Sequence, residues 1–319
     1  YRSVDRAELH PTSDYQLIDL GSRQFTYRLW SNQTATHRFV EIPNLIDRPN
    51  LYHDARGPYS DNALRFGVFC KIAAAISKDF DIVHQHDWQA GLVSLYLRGS
   101  KPTVFTIHNL AYQGLFEFSW VDDLEIPYEA LNFEGMEFYS QLSALKAGVV
   151  FSNRTTTVSP TYSKEILTEP GGQGLSGLFS KRKNLIDGIL NGIDTSIWDP
   201  SIDSTLPTTF DIDTLDRRAQ NRRWLLTHAG LTDGTLMAVI CRATPQKGLD
   251  LLVETATELA HAGARFVCLT NGDDKIMNSL MKCEKNLPGR FKVFSEFRPK
   301  LARQIYGSSD FVLVPSRFE

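Results

Sequence analysis

Val239-Ile240-Cys241-Arg242-Ala243-Thr244-Pro245-Gln246-Lys247-Gly248 reads as a strand feeding a helix, and it sets the reading of the whole chain. The apolar run ends at Arg242, a short loop with Pro245 follows, and Lys247 opens an amphipathic stretch over 249–262. Leu249, Leu252, Val253, Ala256, Leu259 and Ala260 recur there at helical spacing on one face, as a helix packed back on a sheet requires. Two cations and a helix N-terminus thus gather at one point, and each favours a bound anion. A phosphorylated or nucleotide ligand fits. So do an ordinary loop cation at Arg242 and a solvated Lys247, and these two residues alone leave both readings open.

The same alternation extends in both directions. Candidate strands at 81–84, 103–108, 148–151, 155–158 and 186–190 are separated by helical stretches at 63–76, 91–97, 138–147 and 162–167. A second series follows, with strands at 236–241, 265–270, 291–294 and 311–314 and helices at 249–262, 275–286 and 301–306. Strands alternating with helices predict parallel sheets with crossover helices, the α/β class. Between the series, 194–209 is rich in Asp, Ser, Thr and Pro and reads as a connection. At 319 residues the chain exceeds one comfortable core. The expectation is two Rossmann-like doubly wound domains, 1–198 and 199–319, facing a cleft at the carboxyl ends of their strands.

Composition narrows the partners. The 34 basic and 37 acidic residues give a net charge of −3, which leaves no electrostatic footprint for nucleic acid. No stretch approaches the roughly 20 apolar residues of a membrane span. The four cysteines (70, 241, 268 and 283) lack metal or disulfide-framework spacing, and two sit in apolar runs. A reducing cytoplasm, or a plastid-like interior, is expected. The chain opens without Met and stops at Glu319 just after a strand-like run, so both ends read as cuts.

Polar residues cluster where the strands should end: Gln85-His86-Asp87-Trp88-Gln89, His108-Asn109-Leu110-Ala111-Tyr112-Gln113-Gly114, Asn191-Gly192-Ile193-Asp194 and Pro315-Ser316-Arg317-Phe318-Glu319. One such end is weak; four, from both halves, point to a ligand crevice. Alternation places His84 and His86 on one face, but the spacing of a binuclear hydrolase is not met and no metal is expected. The Asp-x-Asp pairs at 79–81 and 211–213 follow no strand and are discounted. The glycine-rich 171–177 lacks the features of a P-loop or dinucleotide fingerprint and reads as a mobile loop.

In combination these stretches resemble bacterial glycogen synthase and plant starch synthase. The resemblance rests on His86-Asp87-Trp88-Gln89-Ala90-Gly91, Phe105-Thr106-Ile107-His108-Asn109-Leu110-Ala111-Tyr112-Gln113-Gly114, Leu145-Lys146-Ala147-Gly148, Thr157-Val158-Ser159-Pro160, Asn191-Gly192-Ile193-Asp194 with Trp198-Asp199-Pro200, Gln246-Lys247-Gly248-Leu249-Asp250-Leu251 and Pro315–Glu319, in family order. It implies the two-Rossmann glycosyltransferase-B fold with its second domain truncated. It also implies retaining transfer of glucose from ADP-glucose to an α-1,4-glucan acceptor, without metal or other cofactor. By the same resemblance Arg242 and Lys247 hold the diphosphate, His108 meets the transferred glucose, and Asp87 lies near donor glucose and acceptor. Asn191 contacts donor glucose, and Glu319 stands beside the sugar hydroxyls. Phe297 falls where an aromatic stacks on the base. Asn109 joins the substrate contacts, and Tyr112 and Gln113 either line the acceptor side or pack their loop. The family's Lys-x-Gly-Gly-Leu phosphate loop would precede Tyr1, so this piece by itself is expected to be inactive. The alternatives are a transferase using UDP-glucose or another acceptor, or an inactive glucan-binding homologue.

Overall fold

The computed structural model describes residues 8–34, 36–54, 56–296 and 298–318. Its contacts divide the chain into two units, Tyr1–Asn191 and Gly192–Glu319, a division that falls seven residues before the 198/199 boundary drawn from composition.

The first unit opens with an antiparallel sheet that the strand–helix alternation did not reveal: β1 (Leu9–Pro11), β2 (Gln16–Leu20), β3 (Arg23–Asn32) and β4 (Arg38–Glu41). All three other strands pair with β3, in which Tyr27, Leu29 and Ser31 alternate inward, as a half-solvated sheet requires. A short pair, β5 (His53–Asp54) and β6 (Gly57–Pro58), leads into α1 (Asn62–Ile76). The parallel sheet comes next. Along the chain run β7 (Val83–His86), α2 (Val93–Leu97), β8 (Thr103–Ile107), β9 (Leu115–Phe116), β10 (Glu137–Phe138), β11 (Gln141–Ser143), α3 (Ala144–Phe151), β12 (Arg154–Thr157), α4 (Tyr162–Glu165), α5 (Ser176–Lys181) and β13 (Ile186–Gly188). Strands β13-β12-β8-β7 form one parallel sheet in that order, so their carboxyl ends share an edge. Strands β10-β11-β9 form a separate small sheet.

Sequence periodicity misplaced two elements here. The helix expected at 138–147 is a hairpin at its start, and the strand expected at 148–151 is the second half of α3. The apolar run 144–151 does not by itself distinguish a buried strand from a buried helix. Ser143 decides it, because its hydroxyl accepts the Lys146 N–H and caps the helix. Gly148 then lets α3 lie against β8; a Cβ there would stand 2.3 Å from the Phe105 ring. Strand β7 also runs two residues later than expected, so His86, not His84, ends it.

The second unit contains α6 (Arg218–Ala229), β14 (Thr235–Ile240), α7 (Leu249–His261), β15 (Ala264–Leu269), α8 (Asp274–Asn286), β16 (Phe291–Phe294), α9 (Pro299–Ser308) and β17 (Phe311–Val312). Its parallel sheet has the order β16-β15-β14-β17. The chain therefore steps outward from β14 to β16, then crosses back to the far side of β14. Helices cover both faces. Phe266 and Cys268 pack with the α7 and α8 residues Leu252, Ala256 and Leu280, while Val267 and Leu269 pack with Leu225 of α6 and Ile305 of α9. The segment at 194–209, read as a connection, packs on α9: the Trp198 ring lies 5.6 Å from Tyr306, and the carbonyl of Thr205 accepts from Gln304 at 2.7 Å. Leu206 is buried over Gly307, where a Cβ would stand 2.7 Å from it.

All four cysteines are free thiols, and burial pushes the Cys70 thiol up to about 12. Among the described residues, no helix is long and apolar enough to cross a membrane.

Gly148→Ala is expected to cost about 1–3 kcal/mol through overpacking against Phe105. Gly177→Ala, in α5 with nothing within 4 Å of the new methyl, should be neutral or slightly stabilising. Thermal unfolding of the two variants beside the parent checks this; equal midpoints would show that Gly148 is not a packing requirement.

Candidate functional site

The carboxyl edge of the first parallel sheet is organised by Asp87. It directly follows β7 in a backbone conformation that side chains rarely adopt, φ 55° and ψ −178°. Its N–H donates to the Thr106 carbonyl at 2.9 Å, holding it to β8. Its Oδ1 accepts the N–H of His108 at 2.8 Å and of Asn109 at 3.4 Å, the first two residues past β8. Several hydrogen bonds thus fix a strained residue, and through it the path of the next loop.

Three histidines stand on this edge. His86 Nδ1 and His108 Nε2 are 2.9 Å apart, a hydrogen bond that fixes the His108 ring. His84 and His86 lie with ring centroids 4.2 Å apart, on one face as alternation predicts. His84 Nε2 is 2.6 Å from the Thr106 hydroxyl, which is 2.6 Å from the Thr156 hydroxyl, so a polar chain crosses three strands. Desolvation lowers the His84 pKa, with repulsion from His108 adding to it. His86 is lowered by desolvation, then by His84 and His108, against an opposing pull from Asp87. Both rings are thereby held neutral near pH 7. Among the described residues, no three His, Cys, Asp or Glu side chains group as metal ligands would.

The loop after β8 carries Asn109, Tyr112 and Gln113. Asn109 Oδ1 accepts the Ala111 N–H at 3.0 Å, and Tyr112 is exposed. Gln113 is buried: its side-chain amide donates to the Gln173 carbonyl at 3.0 Å and its backbone carbonyl accepts the Leu145 N–H at 3.0 Å, so packing is its visible role. Gly114, at φ +60°, ends the loop under Trp88, whose ring would stand 2.5 Å from a Cβ. Asn191 is exposed just beyond β13 on the same sheet edge, two strands from β8. The glycine-rich stretch at 171–177, expected to be a mobile loop, is a hydrogen-bonded turn that becomes the first turn of α5.

In the second unit, Arg242 follows β14 and is exposed, but Lys247 does not open α7. It closes a 3₁₀ turn, Pro245–Lys247, and Gly248 at φ 63° separates that turn from the helix. Pro245 fixes the backbone at the start of the turn, and glycine is the residue that leaves it at low cost. The loop is wedged between its neighbours. Ala243 exchanges bonds with Asn271 (2.7 Å) and Asp273 (2.8 Å) past β15, and the Gln246 carbonyl accepts the Arg317 N–H at 2.9 Å past β17. A Cβ on Gly248 would stand 2.1 Å from the Pro315 carbonyl. Asp250, in the first turn of α7, pairs with Arg317 at 2.7 and 2.5 Å, and that pairing lowers its pKa. The helix N-terminus therefore already has a carboxylate in its first turn. Phe297 and Glu319 lie outside the described residues.

The sequence pattern does not disclose His86 as a partner of His108, or Thr106 as the hub of the polar chain. The signal available was a threonine inside an otherwise apolar buried strand.

The geometry defines an α/β protein with two parallel sheets, polar residues at their carboxyl edges and a strand-order reversal beside Arg242. The chain belongs to the starch synthase catalytic domain family, whose model matches residues 2–181. It is 41% identical to glycogen synthase from Granulibacter bethesdensis over 295 residues, 88% of this chain and 62% of that protein. It is likewise 41% identical to glycogen synthase from Yersinia pestis over 296 residues. The chain thus spans about three fifths of the length of these relatives. Its fold matches the catalytic domain of starch synthase IV from Arabidopsis thaliana, solved with ADP and acarbose, with a TM-score of 0.89, 26% identity and coverage of 98% of this chain and 68% of that one. This is the glycosyltransferase-B fold.

Because the folded pKa values of His84 and His86 lie below the ordinary value near 6.5, they cost nothing above that pH. As pH falls through 6.5 the unfolded chain takes up protons that the folded chain resists, so stability declines. Urea midpoints at pH 7.5 and 5.5 are expected to differ more for the parent than for a His84→Gln, His86→Gln double variant; identical slopes would exclude this coupling.

Proposed function

We propose that this chain forms the larger part of a retaining glucosyltransferase that moves glucose from ADP-glucose to the non-reducing end of an α-1,4-glucan. One observation carries the reading: the strand order reverses between β14 and β17, and the loop holding Arg242 and Lys247 leaves β14 at that reversal. Doubly wound sheets take nucleotide ligands at such points. The glycogen synthases at 41% identity, and the ADP and acarbose held by the Arabidopsis relative, support a nucleotide-sugar donor and a glucan acceptor.

The chemistry assigns the parts. Glucosyl transfer leaves negative charge on the departing diphosphate, and fixed cations placed where that charge develops lower the barrier. Arg242 and Lys247 fill this role, with no metal ion required. His108 faces the transferred glucose, its ring fixed by neutral His86, and Asp87 positions His108 and Asn109 by holding their backbone. Asn191 and Asn109 contact sugar hydroxyls, while Tyr112 stands on the acceptor side. Four free thiols, two of them buried, fit a reducing compartment, the cytoplasm or a plastid.

The test uses the protein at its natural length, labelled ADP-glucose and glycogen. Incorporation from ADP-glucose well above that from UDP-glucose is expected, and Arg242→Ala should lower kcat by about 10²–10³. Near-parental turnover of that variant, or preference for UDP-glucose, overturns the assignment. Asp87→Ala should lower kcat about 10²-fold through misplacement of His108, whereas Asp87→Asn, which keeps an acceptor oxygen, should lose clearly less. Equal losses would mean that the charge of Asp87 matters more than its grip on the backbone.

A further inference from the structure

A buried tyrosine hydroxyl reaches the loop that carries His108, and none of the assignments above uses it. Tyr162 opens α4 shortly after β12 and packs in the cluster that includes Phe105, Leu110, Leu145 and Ile166. Its oxygen accepts the N–H of Leu110 at 3.1 Å, in a bond buried from solvent. That N–H is the third in a row on the loop leaving β8. The first two, of His108 and Asn109, go to Asp87, and the next, of Ala111, goes to the Asn109 side chain. Four successive N–H groups therefore have side-chain acceptors, and the two acceptors from outside the loop are Asp87 and Tyr162. They come from opposite sides, because β7 and β12 flank β8 in the sheet. A loop whose backbone donors are claimed from both sides has one path, and so one presentation of His108 and Asn109.

Tyr162 is itself held in place. Its N–H donates to Ser159 Oγ at 2.9 Å, and the Ser159 carbonyl accepts the Thr157 hydroxyl at 3.0 Å. Gly188 of β13 lies so close to this turn that a Cβ would stand 2.3 Å from the Ser159 carbonyl. The turn carrying Tyr162 thus rests on the strand that leads to Asn191, and its hydroxyl relates that strand to the His108 loop. Burial pushes the hydroxyl above the ordinary tyrosine range; the Leu110 N–H draws it back, and the nearby Asp87 charge raises it again. It stays neutral near pH 7, so its hold on Leu110 does not titrate there. We infer that Tyr162 is a positioning residue for glucosyl transfer, the second clamp on the loop that presents His108 and Asn109. Removing its oxygen leaves the ring packed but strips a buried N–H of its acceptor, and the loop must move to find another. A shift of that kind beside reacting atoms is felt in kcat before it is felt in donor binding.

This inference rests on the glucosyltransferase reading above, and the experiment tells the two apart. The protein at natural length is assayed with ADP-glucose and glycogen as parent, Tyr162→Phe, Asp87→Ala, the double variant and Tyr27→Phe. Tyr27 is also buried and bonded through its hydroxyl, to Gln16 in the antiparallel sheet, so it controls for the general cost of losing such a bond. Tyr162→Phe is expected to lower kcat about tenfold, with KM for ADP-glucose within about twofold of the parent. Tyr27→Phe should keep the parental kcat. Because both clamps act on one loop, the double variant should lose less than the product of the two single losses. Amide exchange in a peptide spanning 107–112, read by mass spectrometry, should quicken in Tyr162→Phe and not in Tyr27→Phe. Parental kcat in Tyr162→Phe, a matching loss in Tyr27→Phe, or multiplicative losses in the double variant overturns the clamp and leaves the glucosyltransferase reading standing. Unchanged exchange over 107–112 in Tyr162→Phe overturns the clamp as well. A parent that transfers no glucose overturns that reading, and the catalytic role of Tyr162 with it.

Discussion

The grip of the Asp87 carboxylate on the backbone beyond β8 is the contact on which the first unit's site depends. A parallel sheet leaves the N–H groups of each outgoing loop without strand partners at its carboxyl edge, and those of His108 and Asn109 are taken by one oxygen of Asp87. The arrangement requires Asp87 to sit at φ 55°, which is tolerated because its own N–H is bound to Thr106. The consequences run onward through the chain. The held loop reaches Gly114 under Trp88, its carbonyls at Gln113 and Gly114 accept the N–H groups of Leu145 and Ala144, and α3 begins there under its Ser143 cap. Gly148 then returns α3 to Phe105 in β8, closing the circuit that Asp87 opened.

Within that frame His84 and His86 are a neutral pair beside the His108 ring. Three imidazoles with centroids 4.2 and 5.1 Å apart cannot all carry charge at modest cost, and the depressed pKa values of His84 and His86 express this. A neutral His86 can either donate to or accept from His108, so it fixes the ring without adding positive charge beside it.

What the sequence disclosed and what it concealed follow from one distinction. The parallel-sheet architecture was legible because buried strands and amphipathic crossover helices have clear periods, as in Val239–Ile240 followed by Leu249, Leu252 and Ala256. The antiparallel β1–β4 sheet was not, because β1, β2 and β4 are only three to five residues long and β3 interleaves Arg, Trp and Ser with its apolar residues. The 138–151 error arose because its apolar end, Ala147-Gly148-Val149-Val150-Phe151, carries no period. Of the site, single residues at strand ends could be named from their chemistry. Their pairings could not, because the His86–His108 bond joins residues 22 apart and depends on strand register. Lys247 shows the same limit at short range: one glycine separates a helix start from a 3₁₀ turn, and only the backbone angle at Gly248 decides between them.

The two units reach precision by different means, and the difference bears on how each would tolerate change. In the first, side chains do the positioning: a carboxylate, three imidazoles and two threonine hydroxyls, any of which substitution removes. In the second, the Arg242–Lys247 loop is located mainly by backbone, wedged between the segment past β15 and that past β17. At Gly248 and Gly272 the added Cβ would meet carbonyl oxygens at 2.1 and 2.4 Å. Backbone cannot move aside as a flexible side chain can, so these two glycines constrain the loop more tightly than the Asp250–Arg317 pair, which is partly solvated and correspondingly weak. That pair nonetheless has an electrostatic effect. It places a neutralised carboxylate in the first turn of α7, at the positive end of the helix dipole.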